Sequence, residues 1–268
     1  MMSQPLPISV CLIAGPEALR IRRCLQSVAG WTTEIIVVIN AEVADGTAEI
    51  AAGFGARVFR EPWKGHIAQK NSAAEKATQP WILALDADEV VSLDLRREME
   101  VLFARPAQLD RCTAYNFPRC SYYCGRWIRH GDWYPDRQTR LWRRLTAQWG
   151  GEDPHDKLLA TGPVGKLRGD LLHYTNDSIN QHLQKIVRFS DEFVRQRSAV
   201  GYPPRWSDLA IRPVWRFLRA YFFRLGFLDG WPGYYIAWLN AFSALTRYCK
   251  LYELQLPPAP PDEDLPHH

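Results

Sequence analysis

The sequence of 268 residues lacks the motifs of the common phosphate-binding folds. No Gly-x-Gly-x-x-Gly follows its first apolar segment, and Gly-x-x-x-x-Gly-Lys-Ser/Thr does not occur. Dinucleotide-binding folds and P-loop proteins use these glycine-rich loops to bring backbone N–H groups to a phosphate. Neither class is therefore favoured, and any nucleotide would have to be held in another way.

Clustered cysteines and a strong charge of one sign are also missing. The six cysteines are scattered, and Cys120 and Cys124 have a CxxxC spacing that favours neither a zinc site nor a disulfide framework, so we expect reduced thiols. The net charge is only +4 and no Lys/Arg block occurs, which predicts no nucleic-acid partner. Residues 1–15 have no basic segment before their apolar run, so we expect no signal peptide.

The first part of the chain alternates between short apolar runs and amphipathic segments, and 47% hydrophobic residues can fill a sizeable core. The predicted strands are residues 8–13, 34–39, 56–59 and 81–85. The predicted helices are residues 17–30, with Leu19, Cys24, Leu25 and Val28 on one face, 47–55 and 66–78. This alternation predicts an α/β fold with a mostly parallel sheet and helices on both faces.

Polar residues follow the predicted strands. Asn40 and Asp45 come after the second strand, and Asp86-Ala87-Asp88 ends the fourth. Ligands of such sheets bind beyond the carboxyl ends of the strands. Two aspartates there can share Mg²⁺ or Mn²⁺, whose remaining ligands can come from a diphosphate, although a DxD motif alone also occurs in many surface turns.

After residue 110 the pattern changes to short strands, turns and many aromatic residues, which predicts an antiparallel or irregular part. Trp127, Trp133, Tyr134 and Trp142 either line a cleft or belong to the core. Ser178 is the predicted N-cap of a helix over 179–198.

Arginines recur with helical spacing near the C-terminus, at Arg212, Arg216 and Arg219, and Val214 and Leu218 are among the apolar residues opposite them. Such a helix either packs with its arginines in water or contacts a membrane. Residues 230–246 carry no charge but are interrupted by Pro232 and Asn240, and a spanning helix needs about twenty apolar residues. Because the segment is also rich in Trp and Tyr, we expect it to lie in the membrane interface.

Seven segments in a fixed order resemble family 2 glycosyltransferases, and within them the branch that adds sugars to the inner core of lipopolysaccharide. They are CLQSVAG (24–30), TEIIVVINAEVADGT (33–47), GARVFREPWKGHIAQKN (55–71), WILALDADE (81–89), YPDRQTRLWRR (134–144), PHDKL (154–158) and LLHY (171–174). The resemblance implies a GT-A fold and inverting transfer of a hexose, from UDP-glucose in particular, to a lipopolysaccharide-core or other lipid-linked glycan. Together with the basic, aromatic C-terminal segment, such an acceptor predicts an enzyme on the inner face of the cytoplasmic membrane.

The resemblance also implies roles for the residues that match the family's motifs. Asp86 falls on the ribose and diphosphate side, Lys70 on the base or phosphates, and Asn40 and Glu17 on the nucleotide. Asn40 stands where the family usually has Asp, so it can bond a uracil but brings no charge. Glu17 is what remains of the family's Lys-Asn-Glu, which here is Gly15-Pro16-Glu17.

The metal and the catalytic base are implied in the same way. Asp88 matches the metal ligand, and His173 is either a further ligand or a structural residue. The family's His-Glu falls on His155-Asp156, which makes Asp156 the expected base, with Glu152 and Asp153 as rivals. Asp45 either caps its helix or contacts the nucleotide, and Arg137, Arg140 and Arg143 either hold phosphate or lie in solvent.

We predict a nucleotide-sugar half at 1–110, an acceptor half at 111–200, amphipathic helices at 201–255 and a disordered tail at 256–268. Two other functions stay open. One is transfer of a hexose to a polyprenyl phosphate, and the other is a non-catalytic nucleotide-sugar or membrane docking protein. A nucleotidyltransferase is disfavoured because its glycine-rich basic loop is missing after the first strand.

Overall fold

The computed structural model describes residues 4–152, 155–175 and 178–257. Its strands are β1 (Leu6–Ala14), β2 (Thr32–Asn40), β3 (Arg57–Glu61), β4 (Trp81–Asp86), β5 (Glu89–Val91), β6 (Ala114–Tyr123), β7 (Arg126–Ile128), β8 (Asp136–Arg143), β9 (Ala147–Glu152), β10 (His155–Ala160), β11 (Val164–Lys166) and β12 (Leu171–His173). Its α-helices are α1 (Ile21–Val28), α2 (Thr47–Gly53), α3 (His66–Glu75), α4 (Leu93–Phe103), α5 (Pro106–Leu109), α6 (Ile179–Ala199), α7 (Trp206–Leu218) and α8 (Gly230–Glu253).

The described chain divides into two compact units, one of residues up to 122 with 134–175, the other of 123–133 with the residues after 177. The predicted boundaries at 110, 200 and 255 stay predictions. Residues 258–268 of the predicted tail lie outside the described residues.

The main sheet has the strand order β3-β2-β1-β4-β8-β6-β12-β5. The first four strands are parallel, as the alternating pattern predicts, and β8 then pairs antiparallel with both β4 and β6. The residues after 110 therefore extend the same sheet. Strands β9 and β10 form a separate antiparallel hairpin.

Helices cover both faces of the parallel part. Alternate residues of β1, such as Val10 and Leu12, pack on the side of α1, α2 and α4, whereas Cys11 packs on the side of α3. Since successive strand residues point to opposite faces, a continuous apolar run is stable only when both faces are covered. The predicted α/β fold class is confirmed.

One detail of the sequence prediction is wrong. Helix α1 begins at Ile21, and Leu19 is 93% exposed, because residues 18–20 form a turn before the helix. Of the two alternatives for Trp142, the structure supports the core, since Trp142 is fully buried and packs edge to face on Trp149.

The second unit is built mainly of helices. The side-chain oxygen of Ser178 accepts a bond from the Gln181 N–H at 3.2 Å, which confirms the predicted N-cap of α6. The segment predicted as one basic amphipathic helix is α7 followed by a π-helical turn at Arg219–Phe223. Among the described residues, the helices are too short or too polar to cross a membrane.

Candidate active site

A cavity of about 500 Å³ lies in the first unit, at the carboxyl edge of β1 and β4. Its lining residues are Ile13, Ala14, Gly15, Glu17, Trp63, His66, Lys70, Asp86, Ala87, Asp88, Arg119, Gln138, Arg140, Trp149, Asp156 and His173. The structure thus brings together most of the site residues expected from the sequence. Asn40, at the end of β2, is not among the residues that line the cavity.

Two cations hold Asp86 at the end of β4. Lys70 Nζ lies 3.1 Å from Asp86 Oδ1, and Arg140 Nη2 lies 2.7 Å from Oδ2. Burial acts to raise the pKa of Asp86, but Arg140 and Lys70 outweigh it and hold that pKa well below its usual range. Asp86 is therefore an oriented anion whose charge is already offset by the protein.

Asp88 has a different partner. Its Oδ2 lies 3.3 Å from His173 Nε2, and its backbone oxygen accepts a 3.0 Å bond from the Tyr174 N–H. In an octahedral site with ligand distances of about 2.1 Å, neighbouring ligand atoms are about 3 Å apart. The Asp88–His173 pair therefore fits two adjacent ligands of one divalent cation.

No cluster of three or more His, Cys, Asp or Glu ligands occurs in the described part of the chain. A cation at Asp88 and His173 would thus need most of its ligands from water or substrate. This is the usual way in which Mg²⁺ is held beside phosphates.

Glu89 supports the turn that carries both aspartates. Its side chain is fully buried, and its Oε2 accepts a 3.0 Å bond from the Asp86 N–H. Its Oε1 accepts bonds from Arg119 at 3.3 Å and Arg140 at 3.2 Å. The sequence analysis missed this role, although a third carboxylate directly after the DxD motif was a signal for it.

Arg140 is buried beneath the cavity. Burial acts to lower its pKa, but Asp86 and Glu89 outweigh burial and raise it, so the guanidinium stays charged. Within the described residues its Nε and Nη1 have no hydrogen-bond partner. Arg137 and Arg143, also on β8, bond instead to the Leu167 carbonyl and to Asp110.

Asp156 reaches the cavity from the β9–β10 hairpin. Its Oδ2 accepts a bond of 2.8 Å from Lys70 Nζ, so Lys70 joins Asp156 to Asp86. The rival Glu152 is exposed at the end of β9 and does not line the cavity. The other rival, Asp153, lies outside the described residues.

Trp149, which the sequence analysis did not select, anchors the hairpin. The Asn71 side chain accepts from the Trp149 N–H at 2.9 Å and donates to its carbonyl at 3.0 Å. The indole lies 4.7 Å from Lys70 Nζ and 5.3 Å from the Arg140 guanidinium carbon. It forms an apolar wall beside both cations and can interact with them through its π face.

Asp45 joins two loops near the carboxyl ends of the strands. It accepts bonds from the Thr47 N–H at 3.0 Å and the Ala18 N–H at 3.1 Å. The Thr47 hydroxyl also donates to Asp45. This bond contributes most, and the two N–H bonds add to it, so the pKa of Asp45 is lowered. Gly46 takes the N-cap position of α2, so Asp45 satisfies the helix start from one residue further back.

The site thus combines acidic and cationic side chains beyond the parallel strands of an α/β fold. Residues 9–165 match the family model described as "Glycosyl transferase family 2". The chain belongs to the family 2 glycosyltransferases, which confirms the family and the enzyme class expected from the sequence. The fold is accordingly the GT-A fold that the resemblance implied.

Two relatives match over most of their length. An uncharacterised glycosyltransferase of Rickettsia prowazekii is 33% identical, with 93% of this chain and 88% of the relative aligned. The lipopolysaccharide core biosynthesis glycosyltransferase LpsC of Rhizobium meliloti is 28% identical, with 98% of each chain aligned.

Solved structures are more distant. The mannosyltransferase PcManGT from Pyrobaculum calidifontis, in complex with GDP-Man and Mn²⁺, is 14% identical with a TM-score of 0.49. The match covers 92% of this chain and 76% of that chain. A likeness at this level indicates neither donor nor metal for the present chain.

Proposed function

We propose that this glycosyltransferase moves a hexose from a nucleoside diphosphate sugar, UDP-glucose in particular, to a lipopolysaccharide-core or other lipid-linked glycan, with inversion at the anomeric carbon. One observation carries the proposal. The cavity in the first unit combines the Asp88–His173 pair, two buried cations at Asp86, and a further carboxylate at Asp156.

The groups at the carboxyl edge of β4 suit a diphosphate. Asp88 and His173 would hold Mg²⁺ or Mn²⁺, which when bound would offset the charge that develops on the departing diphosphate. Arg140 presents two buried N–H groups without a protein partner in the described chain, and such fixed donors stabilise phosphate oxygens. Asp86, held by Lys70 and Arg140, is oriented to accept bonds from the ribose.

Asp156 is the proposed general base. A carboxylate near the attacking hydroxyl accepts its proton as the new glycosidic bond forms on the side opposite the leaving group. The bond to Lys70 Nζ at 2.8 Å fixes the direction of this carboxylate. Glu17, in the loop after β1, lines the cavity and is proposed with Asn40 as a nucleotide contact.

The acceptor is proposed from the LpsC relative, whose name assigns it to lipopolysaccharide core biosynthesis. An acceptor attached to lipid is consistent with a peripheral enzyme on the inner face of the cytoplasmic membrane.

A thermal-shift panel of UDP-, GDP- and ADP-sugars with Mn²⁺ tests the donor, because a ligand that binds the folded state raises the melting temperature. We expect the largest shift with a UDP-sugar and release of UDP when a core oligosaccharide is added. Preference for GDP-mannose together with sugar transfer to a polyprenyl phosphate would favour that alternative. No shift with any donor would contradict the proposal and favour a docking protein.

A further inference from the structure

In the second unit, the acidic side chains of residues 206–252 are buried. Asp208 and Asp229 are the acidic residues of this stretch, and they are 3% and 1% exposed. Asp208 accepts bonds from the Tyr202 hydroxyl and the Arg205 N–H, and Asp229 accepts from the N–H groups of residues 129 and 130. The exposed charges of the stretch are consequently positive.

Apolar side chains lie on the outside of the same helices. On α7, Ile211, Val214, Trp215 and Leu218 follow the i, i+3, i+4, i+7 spacing of one helix face, and all four are exposed. Trp231 and Trp238 on α8 are exposed by 61% and 50%. We call these six residues the apolar face.

One aromatic contact joins α7 to α8, and another joins α7 to the π-helical turn that follows it. The ring of Phe217 lies 4.7 Å from the ring of Trp238, and Trp215 packs on Phe223 at 5.5 Å. Phe223 is itself 69% exposed. Several large apolar side chains exposed in one segment are unfavourable in water, and such surface marks a contact with a partner or a membrane.

Arginines border the apolar face. At 100° per residue, the row that contains Arg216 and Arg219 lies about a third of a turn from the apolar row of α7. Arg219 lies 2.7 Å from Asp132, and Arg216 and Arg224 lie 3.8 Å from the same carboxylate. Three guanidinium groups thus share one partly buried carboxylate, and the side chains of Arg216 and Arg224 are each 46% exposed.

We propose that the apolar face inserts into the headgroup region of an anionic phospholipid bilayer, with Arg216 and Arg224 binding lipid phosphates. The positive charge of the arginines distinguishes between two possible partners of the apolar face, a second copy of the protein and an anionic membrane. A second copy of this surface would bring arginines against arginines, whereas anionic lipid offsets the excess charge while Trp and Phe enter the interface. This inference deepens the membrane location in the proposed function and rests on it for its biological setting.

The test is cosedimentation of the full-length protein with vesicles of phosphatidylcholine, with and without one third phosphatidylglycerol. We expect strong binding only with phosphatidylglycerol. Since each arginine near an anionic surface contributes about fivefold, the double variant Arg216→Gln, Arg224→Gln should bind about thirtyfold more weakly. The matched control Arg188→Gln, Arg195→Gln removes two exposed cations from α6 and should bind as the parent does.

A second pair of variants separates the apolar contribution. Phe223→Ser with Trp231→Ser removes two exposed rings. Vesicle binding should fall at least about tenfold, because two partly inserted aromatic side chains no longer contribute apolar contact. UDP-sugar binding, measured on the same samples, should be unchanged. It reports on the proposed function independently of vesicle binding.

Three results would overturn the inference. The first is equal binding to neutral and anionic vesicles, or equal loss in the α6 control. The second is displacement by glycerol phosphate at the lipid concentration, which would indicate a site for a soluble phosphate. The third is a dimer that dissociates in the Phe223→Ser, Trp231→Ser variant without any vesicle binding, which would identify the face as a contact between copies.

Discussion

At the scale of single residues, the two aspartates of the DxD motif differ in what the protein already supplies to them. Asp86 is paired with Lys70 and Arg140, whereas Asp88 is paired with His173. A divalent cation adds most where a carboxylate has no strong cationic partner. In the proposed function, Asp86 therefore orients the donor and Asp88 holds the metal.

The base assignment predicts a separation of turnover from donor binding. Asp156→Asn should lower the transfer rate by at least about a hundredfold, the usual contribution of a general base, because it removes the proton acceptor. Donor affinity should stay within a few fold, since Lys70 keeps its contact with Asp86. Steady-state kinetics and calorimetry measure the two quantities.

Two further variants control this assignment. Asp156→Glu should recover part of the turnover, because the family's usual residue at this position is Glu. Glu152→Gln, at the exposed end of β9, should behave like the parent. Loss of turnover in Glu152→Gln with normal turnover in Asp156→Asn would transfer the role to Glu152.

Substitution of Arg140 should lower the free energy of unfolding strongly. Arg140→Met removes one of the two cations that face the fully buried Glu89, and breaking a buried ion pair costs about 3–5 kcal/mol. Urea unfolding should show this loss. Arg137→Met, which changes an exposed arginine of β8, should cost much less, and adding Glu89→Gln to Arg140→Met should restore part of the stability. Equal losses at Arg137 and Arg140 would contradict this interpretation.

At the scale of helices and strands, the sequence predicts the parallel part well because each signal there is long. Strands β1, β2 and β4 are apolar runs that need cover on both faces, and helix α1 between β1 and β2 has clear periodicity. Strands β5 and β12 have three residues each, too few for a pattern, yet their pairing places His173 opposite Glu89. The sequence therefore predicted the residues at the strand ends but not the strands that enclose them.

The same reason explains the residues that the sequence analysis missed. Arg119 and Trp149 enter the cavity from β6 and β9, and their positions depend on long-range antiparallel pairing. Local periodicity carries no information about such pairing. Only the family resemblance brought Asp156 and His173 into the expected site.

Helix α6 predicts a pH dependence of stability. Its buried His182 lies 2.9 Å from the Tyr123 hydroxyl, and burial, with a smaller effect of Lys185, lowers its pKa from 6.5 to about 4. Between these values the unfolded chain binds a proton that the folded chain does not, so this contribution to stability is complete above pH 6.5 and is lost as the pH falls towards 4.

The measurement compares urea midpoints of the parent and His182→Gln at pH 7.5 and pH 5. The parent should lose more stability on acidification than the variant, because Gln does not titrate but can still bond to Tyr123. Identical slopes in the two proteins would contradict the assignment of a lowered pKa to His182.

At the scale of the whole molecule, the order and spacing of the motifs carry more information than any one of them. A DxD pair alone is common in surface turns, but seven segments in family order predicted the glycosyltransferase family that the family model confirms over residues 9–165. The charge of the proposed membrane-binding surface was harder to predict. Periodicity located the arginine row and the apolar row, but not the buried acids that leave a positive exposed surface.

The central claim is that a divalent cation at Asp88 couples the protein to its nucleotide-sugar donor. Its most direct test is titration calorimetry of UDP-glucose with Mn²⁺ and with EDTA, on the parent, on Asp88→Asn and on Asp94→Asn, which changes an exposed carboxylate of α4. We predict affinity at least about tenfold weaker in EDTA and in Asp88→Asn, with Asp94→Asn like the parent, because the cation links carboxylate to diphosphate. Equal affinity in all of these conditions, with turnover in EDTA, would contradict the claim.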